Sequence, residues 1–181
     1  MVNADTATSS RIARAWQVLQ GVPDPEVPAV SVIDLGIVRE VHAAPEADGG
    51  GLDVVLTPTY SGCPATEVIE ASVREALLLA GLGPVRTSLR RDPAWTTDWI
   101  SAEGRDKLRA YGIAPPGPAE AGALAPGTAV LRFVPRAPQA LACPRCNSRD
   151  TERLSAFGST ACKALWRCRA CREPFEHFKP I

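Results

Sequence analysis

The sequence has one methionine, two histidines and two tyrosines in 181 residues. With only His42 and His177, no cysteine has an assured histidine partner, which weakens any Cys-His hydrolase reading. Net charge is also missing, because 20 Lys and Arg offset 20 Asp and Glu, so neither a basic field for nucleic acid nor an acidic tail is indicated. No uncharged apolar stretch approaches the roughly 20 residues that cross a bilayer. The opening MVNADTATSS lacks the basic start and apolar run of a secretory leader, so the cytoplasm is the expected compartment. The length suits one ordinary domain plus a small module.

What is present is unevenly placed. From Cys143 onward, eight basic residues stand against four acidic ones, a net of +4, so residues 1–142 carry twelve against sixteen, or −4. Five of the six cysteines also follow residue 142. In a reducing compartment such cysteines are metal ligands or reactive thiols rather than disulfides.

Along the chain, residues 1–8 are expected to be disordered. A helix is expected over 10–20, with Ile12, Ala15, Trp16 and Leu19 on one face and Gly21 as its stop. The prolines of VPDPEVP at 22–28 forbid continuation, giving a rigid loop. Strands are expected over 30–33, 36–41 and 52–56, most simply joined as a hairpin, then a helix over 64–80 with Val68, Ile69, Val73, Ala76, Leu77 and Ala80 in period. A strand over 85–89 and a short helix over 104–111 follow. Residues 9–114 thus form a mixed α/β domain with one helical layer on one sheet. Residues 115–142, rich in Pro and Gly, read as a linker with one strand over 129–134. Residues 143–181 form a cysteine-rich module.

Cys143-Pro-Arg-Cys146 and Cys168-Arg-Ala-Cys171 are two CxxC units. A two-residue spacer lets both sulfurs of a pair face one tetrahedral ion, and a hairpin turning at Gly158-Ser159 brings the pairs together. Four thiolates leave no open position, so Zn²⁺ here is structural, and a tail of this size needs it to fold. Iron in a rubredoxin-like site is the rival. If residues 160–167 are a strand, Cys162 lies roughly 20 Å from Cys168, too far to share the ion; by itself it reads as a small buried hydrophobe. His177 is expected at the surface and His42 as structural or solvated. The aromatics of the tail serve its core, and nucleic-acid binding is not expected.

Cys63 stands apart. In TPTYSGCPATE at 57–67 it lies between a strand and the main helix, with Pro64 fitting the first helical position. It is therefore the expected N-cap, with free amides and the helix dipole lowering its thiol pKa. Such a thiolate attacks an electrophile or binds a soft metal. Asp24 and Glu26 are formal candidates for an acid/base pair, but an Asp in a proline-rich turn commonly bonds its own backbone, and that reading is preferred. Trp95 and Trp99 are read as packing residues rather than as a substrate clamp.

Residues 16–90, with PDPEVP at 23–28, VIDLGIVREV at 32–41 and TPTYSGCPATE at 57–67, resemble the iron-sulfur cluster assembly domain shared by bacterial metal-sulfur biosynthesis proteins and the eukaryotic cytosolic iron-sulfur targeting factor. DPAWTTDWIS at 92–101, GRDKLRAYGIAPP at 104–116 and FGSTACKALWRCRACREPFEHFK at 157–179 resemble one branch of it, the D subunits of the phenylacetyl-CoA epoxidase system. The resemblance implies an α+β fold: a two-layer iron-sulfur assembly-like domain followed by a zinc ribbon. It implies no catalytic residue of its own. Cys63 matches the cysteine of the cluster-transfer loop and Asp24, Glu26 and Asp34 match acidic positions lining it, with Thr57 and Tyr60 in the supporting loop. Cys143, Cys146, Cys168 and Cys171 match the ribbon ligands, and Cys162 matches the cysteine of the GSTACKA run, which gives it standing as a second functional thiol. Some relatives carry a further cysteine at the penultimate position, where this chain has Pro180.

The role implied is that of an accessory or maturation factor that inserts an iron-sulfur cluster, or iron, into the epoxidase. The chain has neither a pair of Glu-x-x-His motifs for di-iron nor a GxGxxG dinucleotide loop. The expected partners are the epoxidase components, above all the iron-sulfur flavoprotein reductase. The alternative is a structural subunit that couples those components without handling clusters. A cluster held transiently by one cysteine needs a second thiol, so a homodimer is expected.

Overall fold

The computed structural model describes residues 4–45, 50–60, 62–117 and 141–180. They divide into two compact units, one ending at Tyr111 and the other running from Gly112 to Pro180. The strand expected over 129–134 and most of the linker lie outside the described residues.

The first helix, α1, spans Ala4–Leu19 and so begins before the expected residue 10. No proline or glycine precedes Gly21, and the Ala, Thr and Ser residues extend the helix backwards through part of the segment expected to be disordered. Ala15 and Leu19 are fully buried on the expected face.

No strand forms over 30–33; only an isolated bridge joins Pro23 to Ser31. The reason is local competition. The Asp24 carboxylate accepts the amides of Glu26 and Val27, at 3.0 and 2.8 Å, and the Asp34 carboxylate accepts that of Ser31 at 2.9 Å. These side-chain bonds take amides that a ladder needs, so the segment coils. Its apolar residues Val27, Val30, Val32 and Leu35 are buried nonetheless.

Gly36 closes this segment at φ +66°, and a Cβ there would lie 2.7 Å from the Trp99 carbonyl oxygen and 2.8 Å from the Trp99 Cβ. Gly36→Ala therefore meets both an unfavourable backbone region and a backbone clash. It is expected to cost about 2 kcal/mol or more, read as a lower urea midpoint with an unchanged slope.

The sheet follows. β1 (Val38–Ala43) pairs antiparallel with β2 (Leu52–Leu56), and β2 pairs in parallel with β3 (Val85–Leu89), in the order β1-β2-β3. The β1-β2 pair is the expected hairpin. The parallel pair needs a crossover, which α2 (Thr66–Leu79) supplies. α2 buries Ile69, Val73 and Leu77 and packs on β3, while α1 packs on α2 and β1. A 3₁₀ turn at Thr97–Trp99 leads to α3 (Ala102–Tyr111), anchored by the buried Leu108. Trp95 and Trp99 are packing residues here: the buried Trp95 donates its Nε1–H to the Leu35 carbonyl at 2.9 Å, and the Arg39 guanidinium covers the Trp99 ring at 3.6 Å.

In the second unit, β5 (Thr151–Ser155), β6 (Lys163–Cys168) and β7 (Pro174–Phe178) form an antiparallel meander. A fourth strand, β4 (Ile113–Ala114), adds in parallel to β7. Residues 113 and 114, read from the sequence as the end of the first domain, thus belong to the second sheet. The core comprises Ala114, Cys143, Ala164, Trp166, Cys168 and Phe175.

Candidate functional site

Two groups of candidate residues stand out, one in each unit. In the second unit the CxxC pairs sit in matched turns. Asn147, just after Cys146, and Arg172, just after Cys171, both take positive φ, 60° and 66°. These left-handed residues reverse the chain so that Asn147 N–H reaches the Cys143 carbonyl at 2.9 Å and Cys171 N–H approaches the Cys168 sulfur at 3.5 Å. All four sulfurs lie within 4.8 Å of one another, with Cys143 and Cys171 at 3.8 Å and Cys146 and Cys168 at 3.5 Å. Thiolates about 2.3 Å from a tetrahedral ion lie about 3.8 Å apart. The four cysteines therefore fit a tetrahedral metal ion, and the Cys171 amide already holds the Cys168 thiol down to about 7.

Cys162 is outside this group. It is buried in the turn before β6, with Thr160 Oγ1 at 3.0 Å from its sulfur and its carbonyl accepting from the Lys179 amide. The expected surface position of His177 is corrected by the structure. His177 is buried in β7 because its alternation places it on the core face, edge-on to Trp166 at 6.1 Å. Burial pushes its pKa down to about 4. His42, at the end of β1, is exposed and paired with Glu40 at 2.8 Å, as a solvated residue should be.

In the first unit Cys63 is not the helix cap. Ala65 occupies that position without a side-chain cap, and α2 starts at Thr66. Cys63 lies in the turn before it, donating its N–H to the Tyr60 carbonyl at 3.2 Å and accepting at its own carbonyl from the Thr66 amide and hydroxyl at 3.2 and 2.8 Å. The expected lowering of its pKa is also reversed. Burial is the largest cause and raises it; the Ala65 amide works the other way, and the nearby charges of Glu26 and Asp24 raise it further. Sequence spacing could not show this, because the two carboxylates come from a loop almost forty residues earlier.

The thiol is therefore protonated at neutral pH. Iodoacetamide should alkylate Cys63 severalfold more slowly than a free cysteine at pH 7, and Glu26→Gln should speed it up. Mass spectrometry of the Cys63 peptide against time measures both.

The sequence-named residues thus divide. Asp24 and Glu26 act on Cys63; Asp24 also makes the backbone-bonded turn noted above. Asp34 is engaged elsewhere, by Ser31, Ser101 and Lys107, which sequence reasoning did not pair with it. Tyr60 supports the Cys63 turn through its carbonyl, and Thr57 ties the end of β2 to Ile37 by its amide at 2.8 Å.

Comparison with known proteins places both units. Residues 12–88 match the family described as "Iron-sulfur cluster assembly protein" and residues 128–179 that described as "PaaD zinc beta ribbon domain". A protein from Escherichia coli (strain K12), named as the D subunit of a "Putative 1,2-phenylacetyl-CoA epoxidase", is 44% identical over 176 residues, covering 97% of each chain. Among solved structures, a domain of unknown function, DUF59, from Bacillus anthracis shares 22% identity with a TM-score of 0.51, covering 57% of this chain and 96% of its own, and supports the α+β fold. A conserved hypothetical protein from Thermotoga maritima shares 29% identity with a TM-score of 0.42, covering 52% of this chain and 89% of its own.

Proposed function

This chain belongs to the same family as the Escherichia coli protein named as the D subunit of a "Putative 1,2-phenylacetyl-CoA epoxidase", and from that premise we propose that it is a non-catalytic accessory factor of such an epoxidase, assisting insertion of an iron-sulfur cluster or iron into the reductase or oxygenase component. The observation that carries the reading is Cys63, a half-buried thiol with the carboxylates of Glu26 and Asp24 beside it. Their charges disfavour a bare thiolate but favour a cation, so the sulfur loses its proton when iron arrives and regains it when iron leaves. A thiolate with adjacent carboxylates suits iron as cargo passed on rather than kept.

The four tail cysteines would hold Zn²⁺ as a structural ion that pins the ribbon turns, with all four positions filled by protein. The partners are the epoxidase components, particularly the iron-sulfur flavoprotein reductase, in the cytoplasm. A homodimer would supply the second thiol that a transient cluster requires. No helix among the described residues is long and apolar enough to cross a membrane.

Reductase purified from cells lacking this protein, or carrying Cys63→Ala, is expected to contain less than about half its normal iron-sulfur content by iron assay and visible absorbance. Full occupancy in both strains would remove the maturation reading. Full occupancy with stoichiometric co-purification and unchanged turnover in Cys63→Ala would favour a coupling role.

A further inference from the structure

Beside the Cys63 loop lies a cavity of about 210 Å³ between residues 57–60, where β2 ends, and Arg91, Ala94 and Trp95, which follow β3. The latter three lie beyond the stretch that matches the iron-sulfur assembly family. Thr57 is 1% exposed, and its Oγ1 has no hydrogen-bond partner among the described residues. Buried hydroxyls are rarely left so, and one on a cavity wall is a donor awaiting an acceptor. Trp95, 3% exposed, spends its Nε1–H on the Leu35 carbonyl, so the little of it that lines the cavity brings no free indole donor. Pro58 and Ala94 form an apolar wall with it, Thr59 adds a further hydroxyl, and Arg91 supplies a guanidinium that pairs with no carboxylate among the described residues.

The size narrows the ligand. At about 30 Å³ per water the cavity holds roughly seven waters' worth, less than the roughly 300–1,000 Å³ of sites for drug-sized molecules. A nucleotide or coenzyme would stand mostly outside so small and open a cleft, while an inorganic ion would leave the apolar wall uncovered. A cation, hydroxyl groups and an apolar wall are together the complement of a small organic carboxylate. We infer that this cavity binds a small aryl or short-chain carboxylate, with Arg91 pairing its charge, Thr57 donating to a carboxylate oxygen and its apolar body against the wall that Pro58 and Ala94 form with Trp95. This site does not depend on whether Cys63 handles clusters.

The test is a titration of the full-length protein, followed by amide NMR shifts, with benzoate, butyrate and inorganic phosphate as separate probes. Benzoate should bind saturably, with shifts centred on residues 57–60 and 91–95, and more tightly than butyrate or phosphate. Arg91→Ala should weaken benzoate about tenfold and Arg91→Lys less, because the charge is kept without the fork. Thr57→Val, near-isosteric, should weaken benzoate about fivefold while leaving the melting temperature equal or higher, since it removes a hydroxyl with nothing to bond. The inference is overturned by an absence of saturation up to about 10 mM, by shifts centred elsewhere, or by Arg91→Ala binding as wild type. Phosphate binding as tightly as benzoate, or a fall in melting temperature for Thr57→Val, overturns it equally.

Discussion

Chelating the metal from the full-length protein is expected to unfold residues 141–180 while β1, β2, β3 and α2 stay protected from hydrogen exchange. The second unit has a small core, and two members of it, Cys143 and Cys168, are themselves in the four-sulfur group. A ribbon of about forty residues, 141–180, buries too little apolar surface to stand alone. Structural zinc contributes roughly 10–16 kcal/mol in comparable modules, on the order of a whole domain's net stability. The loss should therefore be all-or-none rather than a softening. Cys168→Ser and Cys143→Ser, at buried ligands, should reproduce the chelated state, whereas Cys162→Ser should keep the metal. Elemental analysis should find about one zinc per chain. Iron as the sole metal would overturn the zinc assignment, and exchange protection unchanged by chelation would overturn the structural role.

Asp34→Ala is expected to destabilise the first unit by about 3 kcal/mol, among the larger single-residue effects there. The Asp34 side chain, 8% exposed, accepts from the Ser31 amide at 2.9 Å, from Lys107 Nζ at 2.9 Å and from Ser101 Oγ at 3.4 Å. Its backbone joins in, accepting the Ser101 amide at 2.9 Å and donating to Ser31 Oγ at 3.0 Å. Truncation leaves a buried amide without an acceptor at the junction of the 22–37 segment and α3. Lys107 is more exposed, so Lys107→Ala should cost well under the Asp34 figure, about 0.5–1 kcal/mol.

The pH dependence follows from the same contacts. Burial alone would raise the Asp34 pKa, but the Ser31 amide, Lys107 and the Ser31 hydroxyl together bring it below the ordinary carboxylate value. A carboxyl lowered on folding contributes stability that is present above its unfolded pKa, about 3.9, and lost as pH falls through the folded value. Urea unfolding should therefore show a larger gap between wild type and Asp34→Asn at pH 7 than near pH 3. An equal gap at both would mean that the charge contributes nothing.

Elements set by local pattern were legible from the residues alone. The apolar period of Ile69, Val73 and Leu77 gave α2 within a few residues, alternation with β-branched residues gave β2 and β3, and the CxxC spacing gave the four-cysteine centre that the structure assembles. Cys63 is conspicuous without any partner, as a cysteine followed by a proline between a strand and a helix. In each case the signal lies within about one turn or one strand of the residue concerned.

What failed depended on partners distant in the chain. The strand expected over 30–33 gave way to Asp34 capturing the Ser31 amide, with Asp24 holding that of Val27 just before it, and Asp34 itself meets Lys107, 73 residues on. β4 forms only because β7, more than sixty residues later, offers an open edge. The sign of the Cys63 shift was decided by burial and by Glu26 and Asp24, not by the helix start beside it. The residues themselves determined the fold class, the four-cysteine group and the place of Cys63 between a strand and a helix, because periodicity and spacing are local. The tertiary structure decided charge states, burial and strand partners, because those energies depend on which distant groups are brought within a few ångströms.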